Sequence, residues 1–293
     1  MVRGILAVWP GLIALLALIP TAGLRAEDSA VRLATQEWQG YHCKWSPDGK
    51  HIAFASRRTG EAKMYVMPAV GGSPVLVESG LSGDHHTGWS SDSKYLVFDA
   101  YGPEGPPPKL WLIPAAGGEV KPLLPDIAPS FQPALSPDGR WVVFASLRGG
   151  NADIWKAKLN GDSLRQITTD SAADHHPQWS PDGRSIVFAS DRSGNWDIWK
   201  VDGDGSQPRQ ITTAPELDDQ PVASPDGKLL AFTSERSGKR DIWLIPIDGG
   251  KARQFTHDGR NMWPSFSPDG KNLVWSSNRN GQTDLYIGKI AGD

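Results

Sequence analysis

Residues 179–199 read "WSPDGRSIVFASDRSGNWDIW". Ser180–Gly183 is a tight-turn sequence: Pro181 fixes φ, Asp182 bonds back to the backbone and Gly183 takes positive φ. "SIVFAS" after it carries the β-branched and aromatic residues that suit a pleated, buried surface. A polar loop, "DRSG", leads into a second strand that opens "DIW". The unit is therefore a hairpin-rich β segment, and its fold depends on what repeats around it.

The turn recurs at Ser46, Ser136, Ser180, Ser224 and Ser267, with a degenerate "SSDS" at Ser90. The spacings are 44, 46, 44, 44 and 43 residues, which is a propeller-blade period. The third-strand aromatic recurs as Tyr65, Trp111, Trp155, Trp199, Trp243 and Tyr286. A Gly-rich turn and a short outer strand follow it. The strand leading into each turn makes a fourth. The expectation is all-β: a six-bladed β-propeller over residues 27–293, with four-stranded antiparallel blades. The last repeat reaches Asp293 before an outer strand, whereas Leu33 stands in the outer-strand register ahead of Ser46. Residues 31–36 are expected to complete the last blade, removing two free edges. Trp45, Trp89 and Trp179, with the third-strand tryptophans, are expected to pack blade against blade.

Residues 1–26 carry a basic start at Arg3, an apolar run, Pro20 and a small residue at Ala26. This pattern predicts a secretory signal peptide cut after Ala26. The alternative is an uncleaved anchor, which Pro10 and Gly11 interrupt. A periplasmic or secreted protein is expected, with no stable membrane span after cleavage. Loss of Arg3 and Arg25 takes the net charge from −3 to −5. No basic stripe points to nucleic acid. The single cysteine, Cys43, excludes an internal disulfide and is expected as a small buried hydrophobe. A monomer is expected.

The order of "WSPDGRSIVFASDRSGNWDIW" followed by "RQITT" resembles the repeats of the TolB family, over about residues 31–293. The resemblance implies a periplasmic propeller that binds protein partners. TolB itself belongs to the Tol–Pal system and has an α/β domain ahead of its propeller. Here only a few residues separate Ala26 from the first strand, so a propeller without that domain is expected. Similar repeats occur in prolyl-oligopeptidase-type enzymes, but the G-x-S-x-G elbow their hydrolase domain needs is not in this sequence.

Five of the seven histidines fall in one register, the entry into each inner strand. Four residues before the turn serine stand His42, His86, Gln132, His176, Gln220 and Trp263. One earlier stand Tyr41, His85, Phe131, His175, Asp219 and Met262; one earlier again, Gly40, Asp84, Ser130, Asp174, Asp218 and Asn261. In a propeller this segment lies at the mouth of the central channel. The candidate binding residues are thus His42, Asp84, His85, His86, Gln132, Asp174, His175, His176, Asp218, Asp219, Gln220 and Trp263. The first expectation is a protein-binding scaffold in the cell envelope, taking an envelope protein or peptide and needing no cofactor. The alternative is a metal-assisted lyase or hydrolase acting on a glycan or lactone, as in some oligosaccharide lyases. There His42, His86 and His176 would hold a divalent metal with carboxylate support. A solvated polar rim is the plainest explanation. The blade-two loop "YGPEGPPPKLW" is expected to be extended.

Overall fold

A computed structural model describes residues 30–33, 38–83, 85–127 and 129–290. The signal-peptide segment, residues 34–36 of the expected closing strand and Asp84 lie outside the described residues. Every described element is a strand. Blade one is β2 (Gly40–Trp45), β3 (His51–Ser56), β4 (Lys63–Pro68) and β5 (Val75–Val77); blade two is β6 (Thr87–Trp89), β7 (Tyr95–Gly102), β8 (Gly105–Pro114) and β9 (Lys121–Leu123). Blades three, four and five run β10 (Ser130–Leu135) to β13 (Arg165–Gln166), β14 (Asp174–Trp179) to β17 (Arg209–Gln210) and β18 (Asp218–Ala223) to β21 (Arg253–Gln254), each an antiparallel four-stranded sheet in chain order. Blade six is β22 (Asn261–Phe266), β23 (Asn272–Ser277) and β24 (Asp284–Lys289), and its outer strand is β1 (Val31–Arg32). The chain is a six-bladed β-propeller.

The closing strand holds by more than its ladder. Val31 pairs with Ile287 and Arg32 with Tyr286, and the Leu33 N–H donates to the Leu285 carbonyl at 3.0 Å. Arg32 is ion-paired with Asp284, which also accepts the Trp38 N–H at 2.9 Å. Leu33 is buried among Phe54, Tyr65, Met67 and Leu285, so one leucine ties blade six to blade one.

The turns repeat as chemistry. Ser180 Oγ donates to Asp182 at 2.6 Å and accepts the Ser185 N–H at 2.9 Å, while Asp182 accepts the Arg184 N–H at 3.1 Å. The hydrogen bond from Ser180, then that from the Arg184 N–H, holds the Asp182 carboxyl below its ordinary range. Gly183 has φ +69°; in "SSDS" Ser93 takes φ +60° at the same place. The second strand of each blade centres on one fully buried ring: Phe54, Phe98, Phe144, Phe188, Phe232 and Trp275. Each such burial is worth roughly 2–3 kcal/mol. Trp89 and Trp111 are buried. Trp155, Trp199 and Trp243 pack against clusters shared by neighbouring blades, and also lie under guanidinium groups, each 5.0 Å from Arg148, Arg192 and Arg236 respectively. The Pro-rich segment is extended, as expected: it lies on the β7–β8 hairpin, closed by Gly102 opposite Gly105.

Candidate functional site

The entry into the inner strand carries a β-bulge in five blades, all but blade two. In blade four His175 pairs with Ala189 and Gln178 with Val187, so His176 and Pro177 span the irregularity. His42, Gln132, His176, Gln220 and Trp263 all take φ between +51° and +56°. That is left-handed backbone, strained for residues with a Cβ and recurrent at functional sites. A bulge re-aims its side chain, and these five residues with His86 line a narrow central cavity of about 40 Å³.

The bulge separates three registers that an unbroken strand would not. Simple alternation would put Asp174 and Asp218 on the same side as His176 and Gln220, and their shared entry segment implies the axis for them. They are instead fully buried away from it. Arg192 Nη2 donates to both Asp174 oxygens at 2.9 Å, and Arg236 is ion-paired with Asp218. They brace the blades and give no support to a channel ligand. His85 borders the mouth. His175 packs edge-on to Trp196 at 5.3 Å between ring centroids.

The channel residues latch one blade to the next. Asp99 accepts the His86 N–H at 3.2 Å, the Gln132 N–H at 3.1 Å and a bond from His86 Nδ1 at 3.0 Å. Gln132 Oε1 accepts the His176 N–H at 2.8 Å. His176 Nδ1 bonds Asp219 at 2.7 Å. Gln220 Oε1 accepts the Trp263 N–H at 3.1 Å. Gln132 and Gln220 are therefore structural acceptors for strained backbone as well as channel lining. Asp99 lies outside the register that the sequence singles out. It stands in a strand position held elsewhere by Ala55, Ala145, Ala189, Thr233 and Ser276, and that contrast is the signal that would have found it.

The rings converge closely. His42 stacks on His86 with centroids 4.1 Å apart and meets Trp263 edge-on at 4.4 Å; His86 and His176 are 5.6 Å apart. Burial first, then the neighbouring His86, His176 and His85, hold His42 well below its ordinary pKa. Burial, then His176, takes His175 down to about 4. Burial alone would raise Asp219, but the His176 charge and hydrogen bond, with the Gln220 N–H, outweigh it and hold the carboxyl low. Lys44 lines the same cavity, and burial lowers its ammonium to about 8. Cys43 is fully buried in the core, as expected, and burial pushes its thiol up to about 12.

Above the channel lies a wider depression of about 620 Å³, formed by blades one, two and six. Tyr41, Met262 and Trp263 give it an apolar wall, and Arg57, His85 and Gln282 a polar one. Arg57 and Gln282 were not singled out from the sequence. Among the described residues, no group of three or more His, Cys, Asp or Glu side chains is arranged to hold a metal ion.

Residues 108–234 and 214–293, more than half of the chain, match the TolB beta propeller domain. The chain belongs to the TolB β-propeller family. A structure from Agrobacterium tumefaciens assigned as TolB superposes with a TM-score of 0.72 at 26% identity, covering 86% of this chain and 91% of that one. TolB from Acinetobacter baumannii gives 0.65 at 23%, covering 87% and 64%. An uncharacterized protein of Agrobacterium fabrum is 32% identical over 123 residues, 39% of this chain and 38% of the relative. The chain thus spans well under half the length of that relative. An oligogalacturonate lyase from Vibrio parahaemolyticus shares the fold at 16% identity, with a TM-score of 0.58 over 89% of this chain and 93% of that one. No helix among the described residues is long and apolar enough to cross a membrane.

Proposed function

We propose that this TolB-type propeller is an exported, periplasmic binding module that takes an envelope protein or peptide on its mouth face. The mouth depression carries this reading. It joins Tyr41, Met262 and Trp263 with Arg57 at one concave site, and aromatic, Met and Arg side chains are the types enriched at the buried centres of protein interfaces. Family membership supports a binding role, and the apolar stretch ending at Ala26 supports export. The test is co-purification from the cells that make the protein. Trp263→Ala and Arg57→Glu should each lower recovery of a defined partner at least tenfold, and Asp226→Lys on the opposite face should not. Equal recovery with all three would contradict the reading.

One observation favours a second reading, a metal-assisted lyase or hydrolase acting on a glycan or lactone. His86 and His176 each hold Nδ1 against a carboxylate, Asp99 and Asp219, which is how metal-binding imidazoles are oriented. His42 is a poor third donor, because it lies stacked on His86, and Lys44 adds positive charge beside the site. Elemental analysis before and after chelation separates the readings. A stoichiometric divalent metal, lost in the His86→Ala, His176→Ala double variant, would support the enzyme.

A further inference from the structure

The channel cavity beneath the mouth has an unusual charge balance. Lys44, His42, His86, His176, Gln178 and Thr87 are among its lining residues, and no Asp or Glu is. The nearby carboxylates are already engaged: Asp99 by His86 and the Gln132 N–H, Asp219 by His176 and the Gln220 N–H. No ion pair involves Lys44 among the described residues. A part-buried ammonium with no counter-charge is costly and calls for an anion. A cation and three imidazoles thus line one small space that no carboxylate shares.

We propose that the channel is a carboxylate-binding site, taking the acidic head group of a ligand whose body rests in the mouth depression. The size selects the head group. The cavity of about 40 Å³ is near the ~30 Å³ share of one water molecule, enough for a carboxylate and too little for a sugar ring. The route is set by His42 and Trp263, which line both cavities. Lys44 Nζ supplies the charge, and the imidazoles of His86 and His176 line the same space. The ligand's body rests on the mouth-face reading; the head-group site does not.

The test follows the histidine ring resonances of the mature chain by NMR in chloride-free buffer at pH 7. Acetate should give saturable shifts at His42, His86 and His176, with an affinity at least tenfold above that of acetamide. Lys44→Arg should keep the acetate response and Lys44→Gln should lose it. Equal responses to acetate and acetamide in the unmodified chain would overturn the proposal without any variant. So would an undiminished acetate response in Lys44→Gln, or inorganic phosphate binding where acetate does not. Acetate is read with no partner present. A Lys44-dependent acetate response alongside unchanged partner recovery in Arg57→Glu would keep the channel site and count against the mouth reading.

Discussion

His42 and His86, one repeat apart in sequence, lie face to face with ring centroids 4.1 Å apart. Two imidazolium charges at that distance repel strongly. With burial, this keeps His42 neutral at pH 7. The unfolded chain has no such constraint.

Acid should therefore weaken the fold through these rings. An unfolded histidine takes up a proton near pH 6.5, whereas His175 in the fold does so only near pH 4. Between these values the unfolded state binds more protons, so stability falls as pH falls. For His175 alone the loss at pH 5 is on the order of 2 kcal/mol. Asp153 opposes it: burial, then Asp174, raises its carboxyl to about 6, which adds stability as pH falls from about 6 toward 3.8. Urea melts of His175→Gln and the parent chain at pH 8 and pH 5 isolate the histidine. The variant should lose less stability between the two.

Lys44 should be replaceable with a gain in stability. Its folded pKa of about 8 lies below the ordinary 10.5, so the charged form costs the fold at every pH below 8. That cost fades as pH rises toward 10.5. Lys44→Met should be more stable than the parent at pH 7, by at most roughly 3 kcal/mol, and the difference should shrink by pH 10. A lysine kept at such a cost fits a functional group. Denaturant titration at the two pH values checks both parts.

Arg192 neutralises Asp174, which is fully buried, and lies over Trp199. Removing the guanidinium strands a buried carboxylate. Arg192→Ala should cost about 3–5 kcal/mol. Arg192→Lys should recover only part of this, because an ammonium cannot stack as a plane on Trp199 while also donating to Ser190 as Arg192 Nε does. Thermal melts of the three proteins order them.

The clasp between the first described residues and blade six should govern ring stability. Leu33→Ala opens a cavity between two blades and should cost about 2–5 kcal/mol. Arg32→Ala takes the cation from Asp284, whose side chain is 1% exposed, and should cost a similar amount, about 3–5 kcal/mol. Differential scanning calorimetry showing no change in Leu33→Ala would contradict the closure.

The turn serines and third-strand aromatics were enough to read six blades, because each turn and strand is built from local chemistry that recurs. Leu33 was legible for the same reason, being a register match. The channel was legible only in part. His42, His86, His176, Gln132, Gln220 and Trp263 line it as their shared register implied. Asp174 and Asp218 share that entry segment, and the bulge at His176 and its counterpart at Gln220 turn them away from the axis. Lys44 left no pattern to read. Its position holds Gly88, Ala134, Gln178, Val222 and Ser265 in the other blades, and its importance comes from a channel width that depends on all six blades at once. Arg57 and Gln282 line one depression from blades one and six, which no local spacing reveals.

The most direct measurement of the mouth as the working face is site-specific photo-crosslinking in the native cells. A photoreactive residue replaces Met262 at the mouth, and in a second protein Asp226 on the turn face. The account predicts a discrete crosslinked protein from position 262 that disappears with Arg57→Glu, and none from position 226. Crosslinking from position 226 alone, or equally from both, would contradict it.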